Sequence, residues 1–257
     1  MAGRPDRLVV VVGTGTEIGK TWVTARLAEV LTAAGHRVWA RKPAQSFDPG
    51  DDPAFTDAAV LAAATGELPS TVCPEHRWYP LAMAPPMAAR ALGRPAFTLR
   101  DLVAEIQWPH AAPPPGVEQI QGDLSVGVVE TAGGVRSPQA DDGDGLALLG
   151  LLAPDAVVLV ADAGLGTIHS VRLCLDALAS TRPGVEGSSD RSQVGPEQVS
   201  SPAVVVLNRF DPTDALHVAN RQWLEEHDGV HVVVTPGEED LLAAWVVARP
   251  GAGRPMG

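Results

Sequence analysis

The chain has 257 residues, of which 45% are hydrophobic and 19% charged, and its formal net charge is −12. That length buries a sizeable core as one α/β domain without needing a second, and the composition is that of a soluble globular protein. So acidic a surface argues against non-specific binding to nucleic acid or anionic lipid, while leaving room for a small basic site that holds phosphates.

The first predicted element is the strand Leu8 to Val12, continuously apolar and β-branched, as in a parallel strand buried on both faces. It is too short for a secretory segment or a membrane span, so a cytoplasmic protein is expected. Gly13-Thr14-Gly15-Thr16-Glu17-Ile18-Gly19-Lys20-Thr21 follows, and a helix is predicted from Lys20 to Ala34 with Val23, Leu27, Val30 and Leu31 on one face. Strand, glycine-rich loop and helix in that order are the context of a P-loop that binds a nucleoside triphosphate. Backbone N–H groups of such a loop point at phosphate oxygens, Lys20 brings a point charge to the β- and γ-phosphates, and the Thr21 hydroxyl suits Mg²⁺. Five residues separate Gly13 from Gly19, one more than in the common form of the loop.

Gly35 ends the helix, and a second strand is predicted over Arg37 to Ala40. Lys42-Pro43 comes next, at the carboxyl end of that strand, where ligands of parallel sheets bind. Asp57 opens an apolar helix over Ala58 to Ala64, a position where aspartate often acts only as a cap. Cys73 and Cys174, the two cysteines of the chain, show no metal-ligand spacing and are expected as buried or half-buried thiols.

A proline-bearing loop is expected from Gln107 to Asp123, and then a strand over Ser125 to Val129. Glu130-Thr131-Ala132-Gly133-Gly134 ends that strand and places a carboxylate where a metal beside the phosphates needs one. The strand Ala156 to Val160 leads to Leu165-Gly166-Thr167-Ile168-His169-Ser170, the start of a helix whose free N–H groups form an anion site, with the helix running over Ser170 to Leu178. A second loop, rich in Gly, Ser, Pro and Gln, is expected from Arg182 to Ser201. The strand Ala203 to Leu207 ends in Asn208, whose amide both donates and accepts and so suits an adenine edge. A helix over Leu216 to His227 and a strand over Val230 to Val234 lead to the turn Thr235-Pro236-Gly237-Glu238, a candidate second wall of a base pocket. Strands alternating with helices predict one doubly wound, mostly parallel sheet flanked by helices, with residues 1–257 forming a single P-loop domain.

Together these stretches resemble dethiobiotin synthetase, an enzyme family that joins CO₂ to diaminononanoate and closes a ureido ring with ATP and Mg²⁺. The resemblance rests on Gly13 to Thr21, Lys42-Pro43 with Ser46, Thr56-Asp57-Ala58, Ala84-Pro85-Pro86-Met87-Ala88-Ala89, Val129 to Gly134, Leu165 to Ile168, and Asn208. It implies that Lys20 and Lys42 hold the γ-phosphate and a carbamate. Thr21, Asp57 and Glu130 then hold Mg²⁺, and Thr16, Glu17 and Ser46 face substrate and carbamate. Gly15, Ile18 and Gly19 cradle the nucleotide phosphates, and Asn208 with the turn of Pro236 and Glu238 holds adenine. Gly166, Thr167 and His169 bind the substrate carboxylate across a homodimer interface. The chain departs from the family at Phe47 and Thr131, where glycine is usual, and at His169-Ser170, where Asn-His is usual.

Two other readings share this P-loop class. Amidating enzymes of cobalamin synthesis carry a glutamine-hydrolysing domain with a nucleophilic cysteine, and neither cysteine here has such a context. ParA- and MinD-like partitioning ATPases carry a second lysine early in the loop and a membrane- or DNA-binding element. Thr14 to Thr16 contain no lysine, and no basic amphipathic tail is present.

Overall fold

The structure is a computed structural model that describes residues 3–109, 124–180 and 203–248. Six strands make its central sheet: β1 (Arg7–Gly13), β2 (Arg37–Arg41), β3 (Ser125–Glu130), β4 (Ala156–Asp162), β5 (Ala203–Asn208) and β6 (Val232–Thr235). Their spatial order is β6-β5-β4-β1-β3-β2, and every neighbouring pair is parallel. β1 therefore sits between β3 and β4, and the chain leaves it to form β2 two places away. That reversal of strand order opens a crevice beyond the carboxyl ends of the central strands.

Alternation along the strands divides the core between the two faces of the sheet. Val9 and Val11, with Val158, Val160, Val204 and Val206, meet Val23, Leu27 and Leu31 of α1 (Lys20–Ala33) and Leu242 and Val246 of the C-terminal helix Glu239–Ala248. Val10, Val12, Leu159, Val205 and Leu207 face the opposite layer. That layer holds the helices Pro85–Ala91, Leu99–Glu105, Gly145–Leu152, Thr167–Ala179 and Ala215–Glu226. Each fully buried Leu or Val contributes about 1.5–3 kcal/mol, so both faces fix the strands that carry the site. A smaller cluster packs helix α2 (Asp57–Thr65) through Ala58, Leu61 and Ala62 against Ala40 of β2 and Cys73. Cys73 is buried and Cys174 half-buried, both as free thiols. Among the described residues no helix is long and apolar enough to cross a membrane.

The expected elements recur with shifted ends, and the shifts bear on function. β4 runs to Asp162 instead of Val160, because pairing with β5 continues as far as Asp162 beside Asn208. The helix expected from Ser170 starts at Thr167, since Gly166 takes a left-handed conformation (φ 90) that lets the helix begin at once. β6 starts at Val232, two residues later than expected. The loop expected over 107–123 falls outside the described residues from 110 onward, as does the whole of 182–201.

Candidate active site

The P-loop leaves β1 at the middle of the sheet and is tied to both neighbours. The Thr14 N–H donates to the Val160 carbonyl of β4 at 2.9 Å, and the Val135 N–H, beyond β3, donates to the Gly13 carbonyl at 2.9 Å. Gly19 caps α1 at φ 85, where a Cβ would lie 2.1 Å from Asn208 Nδ2, so both the turn and the close approach require glycine. Lys20, 7% exposed, donates from Nζ to the Gly15 carbonyl at 2.9 Å. Its side chain thus arches over the loop that it serves.

Three strand tips and one helix start meet beside it. Register places Glu130 opposite Val11, so its carboxylate emerges next to the P-loop. Glu130 is fully buried, as is Thr131, whose N–H donates to the Val11 carbonyl at 3.1 Å. Lys42, just past β2 and 3% exposed, bridges two carboxylates: Nζ lies 2.6 Å from Asp57 Oδ2 and 2.7 Å from Glu130 Oε1. The Thr21 hydroxyl lies 2.7 Å from Asp57 Oδ1 and 2.9 Å from Glu130 Oε1. It carries one proton, so it donates to one of them at a time. Asp57 is not the cap of α2. Thr56 takes that place, its side chain accepting from the Ala59 N–H, which frees the Asp57 carboxylate to turn inward.

Electrostatics follow from this packing. Burial first, then the nearby charge of Lys42, lowers the Lys20 pKa from 10.5 to about 8. Burial also works against the charge of Lys42, but Asp57 and Glu130 together outweigh it and raise its pKa. Burial works against ionised Asp57 as well. The Lys42 charge and the bonds from Lys42 and Thr21 prevail, and its carboxyl stays below the usual range. Burial alone dominates at Cys73, pushing its thiol up to about 12 and keeping it an unreactive neighbour.

The cavity over these groups measures about 830 Å³. Thr16, Glu17, Gly19, Lys20 and Thr21 of the P-loop line it, with Lys42, Ser46, Asp57 and Glu130 and the segment Ala82-Met83-Ala84-Pro85. Ser46 Oγ is buried there without a protein partner. Among the described residues no cluster of three or more His, Cys, Asp or Glu side chains gathers to hold a metal. The donors present are two carboxylates and a hydroxyl, and Glu130 Oε2 is buried with no protein partner. That set fits Mg²⁺, which uses one or two carboxylates and completes its shell with water and phosphate oxygens.

Other expected site residues stand apart from this cavity. Asn208, 4% exposed, lies under the P-loop: Nδ2 donates to the Ile18 carbonyl at 2.9 Å and Oδ1 accepts from Thr235 Oγ1 at 3.1 Å. Both ends of its amide are thus held by protein groups, and it does not line the cavity. Pro236 is exposed, and the Glu238 carboxylate accepts from Arg221 at 2.9 Å and from the Val234 N–H at 3.0 Å. Gly166, Thr167 and His169 do not line the cavity; His169 is exposed, and Thr167 Oγ1 is buried without a partner. Phe47 is half-buried and lies outside the lining, its N–H bound to the Tyr79 carbonyl at 3.1 Å.

Three supporting residues were not singled out in the sequence. Gln45 Oε1 accepts from the Ala58 N–H at 2.9 Å and fixes the start of α2. Gln139 grips the backbone after Glu130, accepting from the Ala132 N–H at 3.0 Å and donating to its carbonyl at 2.7 Å. Arg209 lines the cavity and reaches the P-loop. Only Arg209 had a usable signal, being a basic residue directly past a strand tip on the ligand edge of the sheet.

A parallel sheet with the P-loop on its central strand, two lysines and two carboxylates at the loop's mouth, and a cavity beside them define a P-loop nucleotide-binding protein. The AAA domain family matches residues 7–239. The ATP-dependent dethiobiotin synthetase BioD of Methylobacterium nodulans is 38% identical over 174 residues, covering 65% of this chain and 73% of that protein. Its counterpart from Mycobacterium bovis is 30% identical over 249 residues, covering 95% of this chain and 94% of that protein. Among solved structures, a ParA family ATPase from Chlorobium tepidum aligns with a TM-score of 0.46 at 14% identity, covering 95% of this chain and 90% of that one. This chain belongs to the ATP-dependent dethiobiotin synthetase family and is an ATP-using enzyme of the ligase class.

Proposed function

We propose that the enzyme carboxylates diaminononanoate with CO₂ and closes the ureido ring of dethiobiotin, using ATP and Mg²⁺. The observation that carries this reading is the pair of lysines, Lys20 and Lys42, at one cavity mouth. Lys20 belongs to the loop and Lys42 comes from the end of β2, outside it, so one cation can serve the transferring phosphoryl group and the other its acceptor. One substrate amine attacks CO₂, forming an N–C bond and releasing a proton to give a carbamate. A carbamate oxygen attacks the γ-phosphorus and ADP leaves. The second amine then attacks the carbonyl carbon and gives up a proton as the new C–N bond forms, and the C–O bond to phosphate breaks so that phosphate leaves as the ring closes.

Lys20 holds the γ-phosphoryl group, and Lys42 holds the carbamate oxygen while helping to keep Asp57 ionised. Thr16, Glu17 and Ser46 orient the carbamate and the amines. Thr21, Asp57 and Glu130 hold Mg²⁺, which when bound neutralises charge on the phosphate oxygens. Asn208 and the Pro236 turn border the base. Gly166, Thr167 and His169 bind the substrate carboxylate of a second copy's site in a homodimer. Support for that comes from exposed apolar side chains flanking the segment, Leu165 at 93% and Leu173 at 57%. The net charge of −12 favours small-molecule work in the cytoplasm over binding to DNA or lipid.

The direct test is ATP turnover with diaminononanoate and bicarbonate, the product identified by mass. ATP consumption without a product of dethiobiotin mass removes the substrate from this reading.

A further inference from the structure

Asn208 and Arg209 are consecutive at the end of β5, and their side chains take hold of consecutive P-loop carbonyls. Asn208 Nδ2 donates to the Ile18 carbonyl at 2.9 Å, and Arg209 donates to the Glu17 carbonyl at 2.6 Å. The other arm of the Arg209 guanidinium reaches Asp162 Oδ2 at 3.2 Å, at the end of β4. Asp162 is itself held, its Oδ1 accepting from the Gly164 N–H at 2.9 Å. Both Glu17 and Arg209 are non-glycine residues at positive φ, 57 and 58. Such conformations persist only where surrounding contacts impose them, and here each residue is one end of the same hydrogen bond.

In a trans peptide the C=O of one residue and the N–H of the next point in opposite directions. Drawing the Glu17 and Ile18 carbonyls toward β5 therefore turns the N–H groups of Ile18 and Gly19 away from it, into the concave side of the loop. Those are the donors that an anion at a P-loop meets before it reaches Lys20. The Arg209–Asp162 pair is half exposed, at 59% and 46%, so as an ion pair it contributes little. Its consequence is the direction in which it holds the guanidinium.

We infer that Arg209 is a positioning residue for the phosphate cradle: anchored on Asp162, it holds the Glu17 carbonyl outward and so aims the loop's amides at the triphosphate. Asn208 does the same one residue on. The inference rests on the P-loop binding ATP and does not depend on the identity of the amine substrate.

Titration calorimetry with ATP and with adenosine on wild type, Arg209→Ala, Arg209→Lys and Asp162→Asn tests it, with thermal unfolding of each protein alongside. Arg209→Ala is expected to weaken ATP by about tenfold, leave adenosine affinity unchanged and leave unfolding within about 2 °C of wild type. Arg209→Lys is expected to recover less than half of the loss, because one ammonium cannot span Glu17 and Asp162 together. Asp162→Asn is expected to lose about two- to threefold. Unchanged ATP affinity in Arg209→Ala overturns the inference. Full recovery in Arg209→Lys overturns it too, since charge on the phosphates would then matter and not aim. A wild type that fails to bind ATP overturns the P-loop reading itself, and this inference with it.

Discussion

The P-loop mouth and the start of the helix Thr167–Ala179 are both glycine turns that release a helix N-terminus at the carboxyl edge of the sheet, yet they are built differently. At the P-loop almost every exit is tied: Thr14 to Val160, Val135 to Gly13, Lys20 to Gly15, Asn208 to Ile18 and Arg209 to Glu17. At the second turn Asn220 holds the Ala163 and Gly164 carbonyls, but Leu165 and His169 stand in solvent. A phosphate cradle must be rigid before its anion arrives, because its strength lies in donors already aimed. The second turn has an apolar residue exposed beside its donors, the arrangement of a surface completed by something else. On our reading that is a second copy of the chain.

The sharpest way to break this comparison is Lys20→Ala. We expect a loss of ATP turnover of about a hundredfold or more with the fold intact, because on the proposed reading Lys20 serves the transferring phosphoryl, and its ammonium contacts the P-loop at the Gly15 carbonyl. Turnover assays with thermal unfolding of the same sample check it. Lys42→Met should differ in kind. It leaves buried Glu130 and half-buried Asp57 without their shared cation, so about 3 kcal/mol of folding stability is lost along with activity. Denaturant titration reads that loss. If Lys42→Met is as stable as wild type, the carboxylates are compensated by some other group.

The next effect depends on pH. The Lys20 pKa of about 8 lies below its ordinary 10.5. Below about 8 the ammonium is charged and meets phosphate, so ATP affinity should fall as pH rises through 8, by no more than about tenfold per unit. Stability should move the other way. Between about 8 and 10.5 the unfolded chain binds the proton that folded Lys20 has released, so this group raises stability with pH across that window. Calorimetry of ATP binding and thermal unfolding at pH 7.5 and 9.5 separate the two trends, and Lys20→Ala should abolish both. The smallest effect belongs to the other turn. His169→Asn should change the KM for diaminononanoate severalfold, about 1 kcal/mol for one donor exchanged at an exposed site, and leave ATP affinity unchanged. An ATP affinity that shifts with His169 would erase the distinction between the two halves.

Much of this was legible in residues that act locally. Gly13 to Thr21 reads as a P-loop because backbone geometry and a short spacing define it. The β-branched runs at Leu8, Ser125, Ala156 and Ala203 read as buried strands because burial on both faces leaves no polar position. Asp57 was harder, since a cap and a ligand look alike at a helix start. The neighbouring Thr56 takes the cap, so Asp57 does not. Gln139 gave no signal at all, because an amide that grips a backbone seven positions away looks like any surface glutamine.

By itself the sequence determined the βαβ opening, the anion loop and the set of polar residues at strand ends, since these follow from periodicity and turn chemistry within short windows. The tertiary structure alone decided which of those ends meet. Lys42 touches Glu130 across 88 positions, and Thr21 touches Glu130 across 109, because β3 slots between β1 and β2. That order depends on how the two hydrophobic faces of the sheet are covered, a property of the whole packed core that no local window contains. The same packing brings Arg209 to Glu17 across 192 positions and so sets the aim of the loop.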